Sequence, residues 1–192
     1  MNKALRQHLT TTGFLDWEAR QNFRYEFDGT KVIAMTGGTA AHSTIQGNLA
    51  RAIGGRLSGT SCRFHGSDLK IEVSGRIRYP DGFVVCSPVS PKTTVVRDPV
   101  VIFEVLSEST EDTDIFVKNR EYASTPSVIR YVMLSQNEIS AILFERVEAD
   151  WLGRVLAADA VLSMPEIGLE VALSELYTGL HFTADPTSAP SS

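Results

Sequence analysis

Apolar residues along this chain recur with two different spacings, and each predicts its own kind of element. Between Ala40 and Leu57 the set Ile45, Leu49, Ile53 and Leu57 returns every fourth residue, which puts it on one face of a helix that Gly54-Gly55 would fray at its end. Elsewhere the apolar positions form short runs bounded by turn residues. These predict strands at Cys62 to Val73 (interrupted at His65-Gly66), Arg76 to Cys86, Val100 to Leu106, Ile129 to Leu134 and Ala141 to Glu145. Upstream, Arg24 to Phe27 and Lys31 to Met35 flank Asp28-Gly29, a dipeptide suited to a type I′ hairpin turn. Residues 12–20 predict a short helix that turns Phe14, Leu15 and Trp17 inward, although Gly13 weakens it. The polar run Glu108 to Asp112 supplies an N-cap and first-turn acids for a helix from Thr113 to Ala123, stopped before Pro126. Ser87 to Pro99 reads as loop, residues 151–180 as short elements, and the Pro/Ser/Ala-rich residues 183–192 as a disordered tail. The order predicts one α/β domain over residues 1–182: a mixed sheet flanked by helices, with an additional N-terminal hairpin and no internal repeat.

One residue breaks the strand pattern. Val100 to Leu106 has every mark of a buried strand except Glu104 in its middle, and an unpaired carboxylate in a sheet interior costs several kcal/mol. A divalent cation shared with a second carboxylate would compensate it. The nearest upstream candidate is Asp81, which opens the apolar run Phe83 to Cys86. Tyr79-Pro80-Asp81-Gly82 is equally a turn signal, so Asp81 alone would not carry a metal reading; beside Glu104 it does. Strand alternation puts Glu104 on the face of Ile102 and Leu106, where a helix or a cleft covers the sheet. An Asp, a Glu and the carbonyl of the following residue, Val105, form an oxygen set suited to Mg²⁺, with Mn²⁺ as a substitute, that keeps waters in its other positions.

Lys118, with Asp114 one turn before it and Tyr122 one turn after it, shares a helix face that could look back at the strand ends and supply an ammonium to a phosphate. The same residues also make an ordinary surface ion pair. Accessory candidates are Glu26 as a further ligand, His42 in the first turn of its helix, and the pair Asp68 and Lys70, a rival source for the catalytic lysine.

Composition narrows the setting. The chain has 192 residues with 43% hydrophobic content, enough for a core that needs no staples. Cys62 and Cys86 read as reduced core residues, the N-terminus is polar, and no run approaches the roughly 18 apolar residues of a membrane span, so a soluble cytoplasmic protein is expected. The net charge of -5 is uneven: residues 51–78 carry six basic residues against two acids, and residues 138–185 carry nine acids against Arg146 and Arg154. Such asymmetry permits a basic face for a phosphate backbone, with Arg51, Arg56, Arg76 or Arg78 as its members, and is equally met by solvated faces.

Taken in order, Arg24-Tyr-Glu, Asp28-Gly29, His42, Asn48-Leu49, Ser67-Asp-Leu-Lys70, Tyr79-Pro-Asp81, Glu104-Val-Leu-Ser107 and Lys118 to Tyr122 resemble the Uma-type family of endonucleases. That family belongs to the restriction-endonuclease-like PD-(D/E)XK superfamily. The resemblance implies that Asp81 and Glu104 are metal ligands and that Lys118 replaces the lysine most of the superfamily carries two residues after the strand acid, a position held here by Leu106. Gly82 stands where a β-branched residue is the pattern, and its freedom would loosen Asp81. The function so implied is Mg²⁺-dependent hydrolysis of DNA phosphodiester bonds. The alternative is an inactive nucleic-acid-binding or assembly module on the same scaffold. A homodimer would suit an enzyme that cuts both strands, and no residue in the sequence shows one.

Overall fold

A computed structural model describes residues 9–107 and 113–182, the side chains of Thr113 and Asp114 excepted. The expected N-cap at Glu108 to Asp112 and the tail at 183–192 lie outside the described residues.

The chain opens with α1 (Thr11–Glu18), capped by Thr10, whose hydroxyl accepts from the Gly13 amide. The hairpin follows as β1 (Tyr25–Phe27) and β2 (Val32–Ala34). Its connection is longer than the type I′ turn expected: Phe27 pairs with Val32, and Asp28 closes the loop by accepting from the Thr30 and Lys31 amides. Helix α2 (Ala40–Leu49) starts at the Thr39 cap and runs on through a π-helical stretch, Ala50–Gly54, so Gly54-Gly55 do not fray it. Ile45, Leu49, Ile53 and Leu57 are all buried, as their spacing requires.

Two of the long strands expected from the sequence divide between sheets. The first becomes β3 (Arg63–Gly66) and β4 (Lys70–Val73), and the second becomes β5 (Arg76–Arg78) and β6 (Gly82–Val85). Val95–Val96, inside the expected loop, form β7 parallel to β4. Then come β8 (Val101–Leu106), a π-helical turn at Thr113–Lys118, α3 (Asn119–Ala123), β9 (Arg130–Ser135), β10 (Ala141–Val147) and β11 (Asp150–Leu156). A ribbon of β12 (Val161–Met164) and β13 (Leu169–Ala172) closes the chain with a short 3₁₀ segment, Leu173–Tyr177.

The result is α/β, with mixed sheets flanked by helices. One sheet has the order β2-β1-β5-β4-β7 and the other β11-β10-β9-β8-β6-β3, in which β8 and β9 run parallel. Every residue of β8 is buried because both its faces are covered. Val101, Phe103 and Val105 pack with α2 and the C-terminal segments, while Ile102 and Leu106 pack with Phe83, Tyr131 and, from the five-stranded sheet, Ile71 and Val73. Glu104 therefore lies between the two sheets, on the face that alternation predicted. Among the described residues no helix is long and apolar enough to cross a membrane.

The cysteines differ from expectation. Arg63 pairs with Val85, so the next residues out, Cys62 and Cys86, stand directly across from each other and form a disulfide. Register decides this, and register cannot be read from the two residues alone.

Candidate metal-binding cleft

Asp81 and Glu104 come to one cavity wall because β6 stops short of pairing with the last three residues of β8. Gly82 pairs with Phe103, so Asp81 stands across from Glu104 at the end of the ladder. Pro80, without an amide hydrogen, cannot extend it. The Val105 amide, which a continuing strand would have used, instead donates to Asp81 Oδ2 at 2.6 Å. In an extended strand both backbone groups of one residue face the same neighbour, so the Val105 carbonyl faces that same open edge.

Helix α2 completes the hold on Asp81. Gln46 Nε2 donates to Oδ1 at 2.6 Å, and His42 Nε2 lies 3.2 Å from Oδ2. Gly38 makes room for the imidazole, since a Cβ there would stand 2.9 Å from the His42 ring. Gly82 also has a steric reason: a Cβ would meet the Phe64 ring at 2.5 Å. The expected loosening of Asp81 is thus not what this glycine does; it lets an aromatic ring lie across the strand end.

Glu104 is 4% exposed and already has a protein cation beside it: Lys118 Nζ donates to Oε1 at 2.9 Å. The Tyr122 hydroxyl donates to the same oxygen at 3.3 Å. Burial, then the Glu104 charge, pushes the Tyr122 phenol well above its usual range, so it stays a donor. Lys118 Nζ also lies 3.8 Å from Glu26 Oε1. Glu26 accepts from the Tyr79 amide and from Arg78, and Arg78 makes a two-pronged pair with Glu121 at 2.8 and 2.7 Å. Burial disfavours the charge on Arg78, but the Glu121 hydrogen bonds and the Glu26 field outweigh it and hold the guanidinium firmly protonated.

Glu26, His42, Asp81, Glu104, Val105 and Lys118 line one open cavity of about 1230 Å³, with Tyr122 buried beneath it. The other candidates fall elsewhere. Lys70 binds Glu18 at 2.5 Å and lies over the Tyr79 ring, and Asp68 is exposed in a turn; neither lines the cavity. The basic face that residues 51–78 permit is largely taken up by contacts within the fold. Arg56 pairs with Glu175, Arg76 with Glu121, and Arg78 is fully buried. Arg51 turns back toward Asn48 at the far end of α2. Two contributors went unnamed in the sequence. Gln46 was accessible, one turn after His42 on the same helix face. The Arg78–Glu121 pair was not, because its burial depends on how the sheets meet.

Among the described residues no group of three or more His, Cys, Asp or Glu side chains is arranged to hold a metal ion. Two carboxylates and a backbone carbonyl still fit a hard cation that keeps several waters, as Mg²⁺ does, and do not fit Zn²⁺.

Comparison with known proteins agrees with this architecture. A structure titled as a "putative nuclease belonging to DUF820" from Anabaena variabilis superposes with a TM-score of 0.74 at 17% identity, covering 88% of this chain and 97% of that one. "Uncharacterized protein slr1290" of Synechocystis is 34% identical over 91% of this chain and 94% of its own length. "Uncharacterized protein sll1609" of the same organism is 27% identical over 67% of this chain and 75% of its own. Residues 12–174, which contain both sheets and the whole cleft, match the family described as "Uma2: Putative restriction endonuclease", and the chain belongs to that family.

Proposed function

We propose that this protein is a metal-dependent nuclease that hydrolyses DNA phosphodiester bonds. The observation that carries the reading is the cross-strand placement of Asp81 and Glu104 on one cavity wall with the Lys118 ammonium 2.9 Å from Glu104. Asp81, Glu104 and the Val105 carbonyl would hold Mg²⁺. The ion would supply Lewis acidity to a phosphoryl oxygen and acidify a water. Gln46 and His42 keep the Asp81 carboxylate oriented, which spares the reorganisation a loose ligand would require. Lys118 offsets negative charge as it develops on the phosphoryl oxygens, and its fixed position means little rearrangement accompanies the reaction. Membership of a family described as "Putative restriction endonuclease", and a fold shared with a chain titled "putative nuclease", support the same class.

Calorimetric titration of Mn²⁺ into the parent and into Asp81→Asn and Glu104→Gln, beside Mg²⁺-dependent nicking of plasmid DNA, tests it. Both variants should lose the binding isotherm and the nicking. If both variants bind Mn²⁺ and nick as the parent does, the site is not the one proposed; if the parent itself neither binds Mn²⁺ nor nicks, the protein is a non-catalytic module on a nuclease scaffold.

A further inference from the structure

The cleft's floor is polar, and its mouth adds exposed apolar side chains. Phe23, on the turn leading into β1, is 74% exposed, more than any other large apolar side chain described, yet it lines the cavity. Ile33, 41% exposed on the edge strand β2, lines it as well. Next to Phe23 stands Arg24, whose Nη1 donates to the Ser67 carbonyl at 3.0 Å, so the guanidinium is tethered at the rim by one of its five donors. An exposed aromatic ring beside a tethered guanidinium is what a nucleobase and its phosphate need from a protein surface.

We propose that Phe23 and Arg24 form a stacking platform and phosphate contact at this mouth, and that the nucleic acid enters as an unpaired strand. The inference rests on the nuclease reading of the cavity floor. Two observations select a single strand over a duplex. First, tight duplex binding comes from neutralising a long row of phosphates. Several arginines that could join such a row are paired with acids instead: Arg56 with Glu175, Arg76 and Arg78 with Glu121, Arg97 with Glu72. The cavity's own bases are Arg24, His42 and Lys118, one at the rim and two lower down beside the carboxylates. His42 is held by Asp81 and Lys118 by Glu104 and Glu26, which leaves Arg24 as the rim cation for a backbone phosphate, a contact that suits one strand and not the long row a duplex needs. Second, the reacting groups are sunken. Glu104 is 4% exposed and the Asp81 side chain 12%, so a scissile phosphate must descend below the rim, which a flexible unpaired strand can do and a stiff paired one resists.

The test is fluorescence anisotropy with a short labelled DNA strand, the same strand annealed to its complement, and the RNA strand of equal sequence. Ca²⁺ replaces Mg²⁺ throughout to hold the substrate intact. The single strands should bind at least about 10-fold tighter than the duplex, and Phe23→Ala should weaken them by about 5- to 100-fold. Phe23→Trp should keep the affinity and show its indole emission quenched when strand is added. Arg24→Gln should lower the salt dependence of binding by about one counterion. Val155→Ala, an equally exposed apolar residue on β11, should change nothing. Equal or tighter duplex binding, or single-strand affinity unmoved by Phe23→Ala, overturns the proposal. So does a shift from dimer to monomer in Phe23→Ala at unchanged strand affinity, which would make Phe23 a contact between copies. If Mn²⁺ still binds the floor in those cases, the nuclease reading survives the loss; if Mn²⁺ does not bind and no nucleic acid does either, both fall together.

Discussion

Removing the Lys118 ammonium tests whether the cleft is held together by the charges assigned to it. Lys118→Met keeps the length of the side chain and deletes the cation 2.9 Å from Glu104 and 3.8 Å from Glu26. The Lys118 and Glu104 side chains are 8% and 5% exposed, so solvent screening discounts the pair little. At an effective dielectric of about 20, a 2.9 Å pair has a gross attraction of order 5 kcal/mol, and stranding one partner of a buried pair costs about 3–5 kcal/mol. Glu26 retains Arg78, so most of the penalty falls on Glu104. In a domain of this size each kcal/mol is worth about 2–4 °C, so thermal unfolding in EDTA should drop by roughly 6–20 °C. The second half of the experiment is Lys118→Met with Glu104→Gln. Neutralising the stranded carboxylate should return most of the loss, leaving about 1–2 kcal/mol below the parent. Saturating Mn²⁺ should also raise the single variant's midpoint by more than the parent's, because a cation at Asp81 and Glu104 supplies the missing charge. A single-variant cost below about 1 kcal/mol, or strictly additive effects of the two substitutions, would refute the claim that Lys118 is the compensator of Glu104.

Gly82→Ala should cost about 1–3 kcal/mol in urea denaturation, since its Cβ would meet the Phe64 ring at 2.5 Å, and Phe64→Leu in the same chain should recover much of that; no recovery would mean that the strand end itself rejects a side chain. His65 stacks on Phe83 with Nε2 buried and unpartnered, and burial holds its imidazole below the usual range, partly opposed by Asp68. The unfolded chain therefore takes up that proton first, so stability should fall as pH drops from about 6.5 toward the folded value and level off below it; His65→Phe should flatten that slope in pH-dependent denaturation, and an unchanged slope assigns it to other groups. Reducing the Cys62–Cys86 disulfide opens a loop spanning 24 positions, for which chain entropy gives about 3 kcal/mol, read as a lower midpoint in dithiothreitol and an unmoved one in Cys62→Ala.

What could be read from the chain alone was periodic or anomalous. The every-fourth apolar set announced α2, alternation named the face of Glu104, and the single acid in an otherwise apolar strand pointed at the cleft. What could not be read depends on pairing. That Asp81 lands opposite Glu104, and Cys62 opposite Cys86, follows from the β6 register with β8 and β3, which shifts every partner if slipped by one residue. Arg78 read as a possible phosphate contact because it belongs to the local excess of basic residues over 51–78. Only the packing of one sheet against the other, with Glu26 and Glu121 brought beside it, makes it a fully buried charge.

The position of Lys118 follows from the same geometry. A residue two positions after Glu104 shares its face, and in this chain that position, Leu106, is packed into the apolar cluster with Phe83 and Tyr131. A lysine there would have to be accommodated among those apolar neighbours. The ammonium instead arrives from the helical segment after β8, where Lys118 ends the π-helical turn and Tyr122 follows one turn later, both reaching the same Glu104 oxygen. Glu121, on that short helix, anchors it by gripping Arg78 and Arg76 from β5. Because Arg78 in turn holds Glu26, the second carboxylate beside Lys118, the helix cannot detach without uncovering buried charges on both sheets. Placing the lysine on the helix thus makes assembly of the cleft conditional on docking of the helix, which a lysine carried by the strand itself would not do.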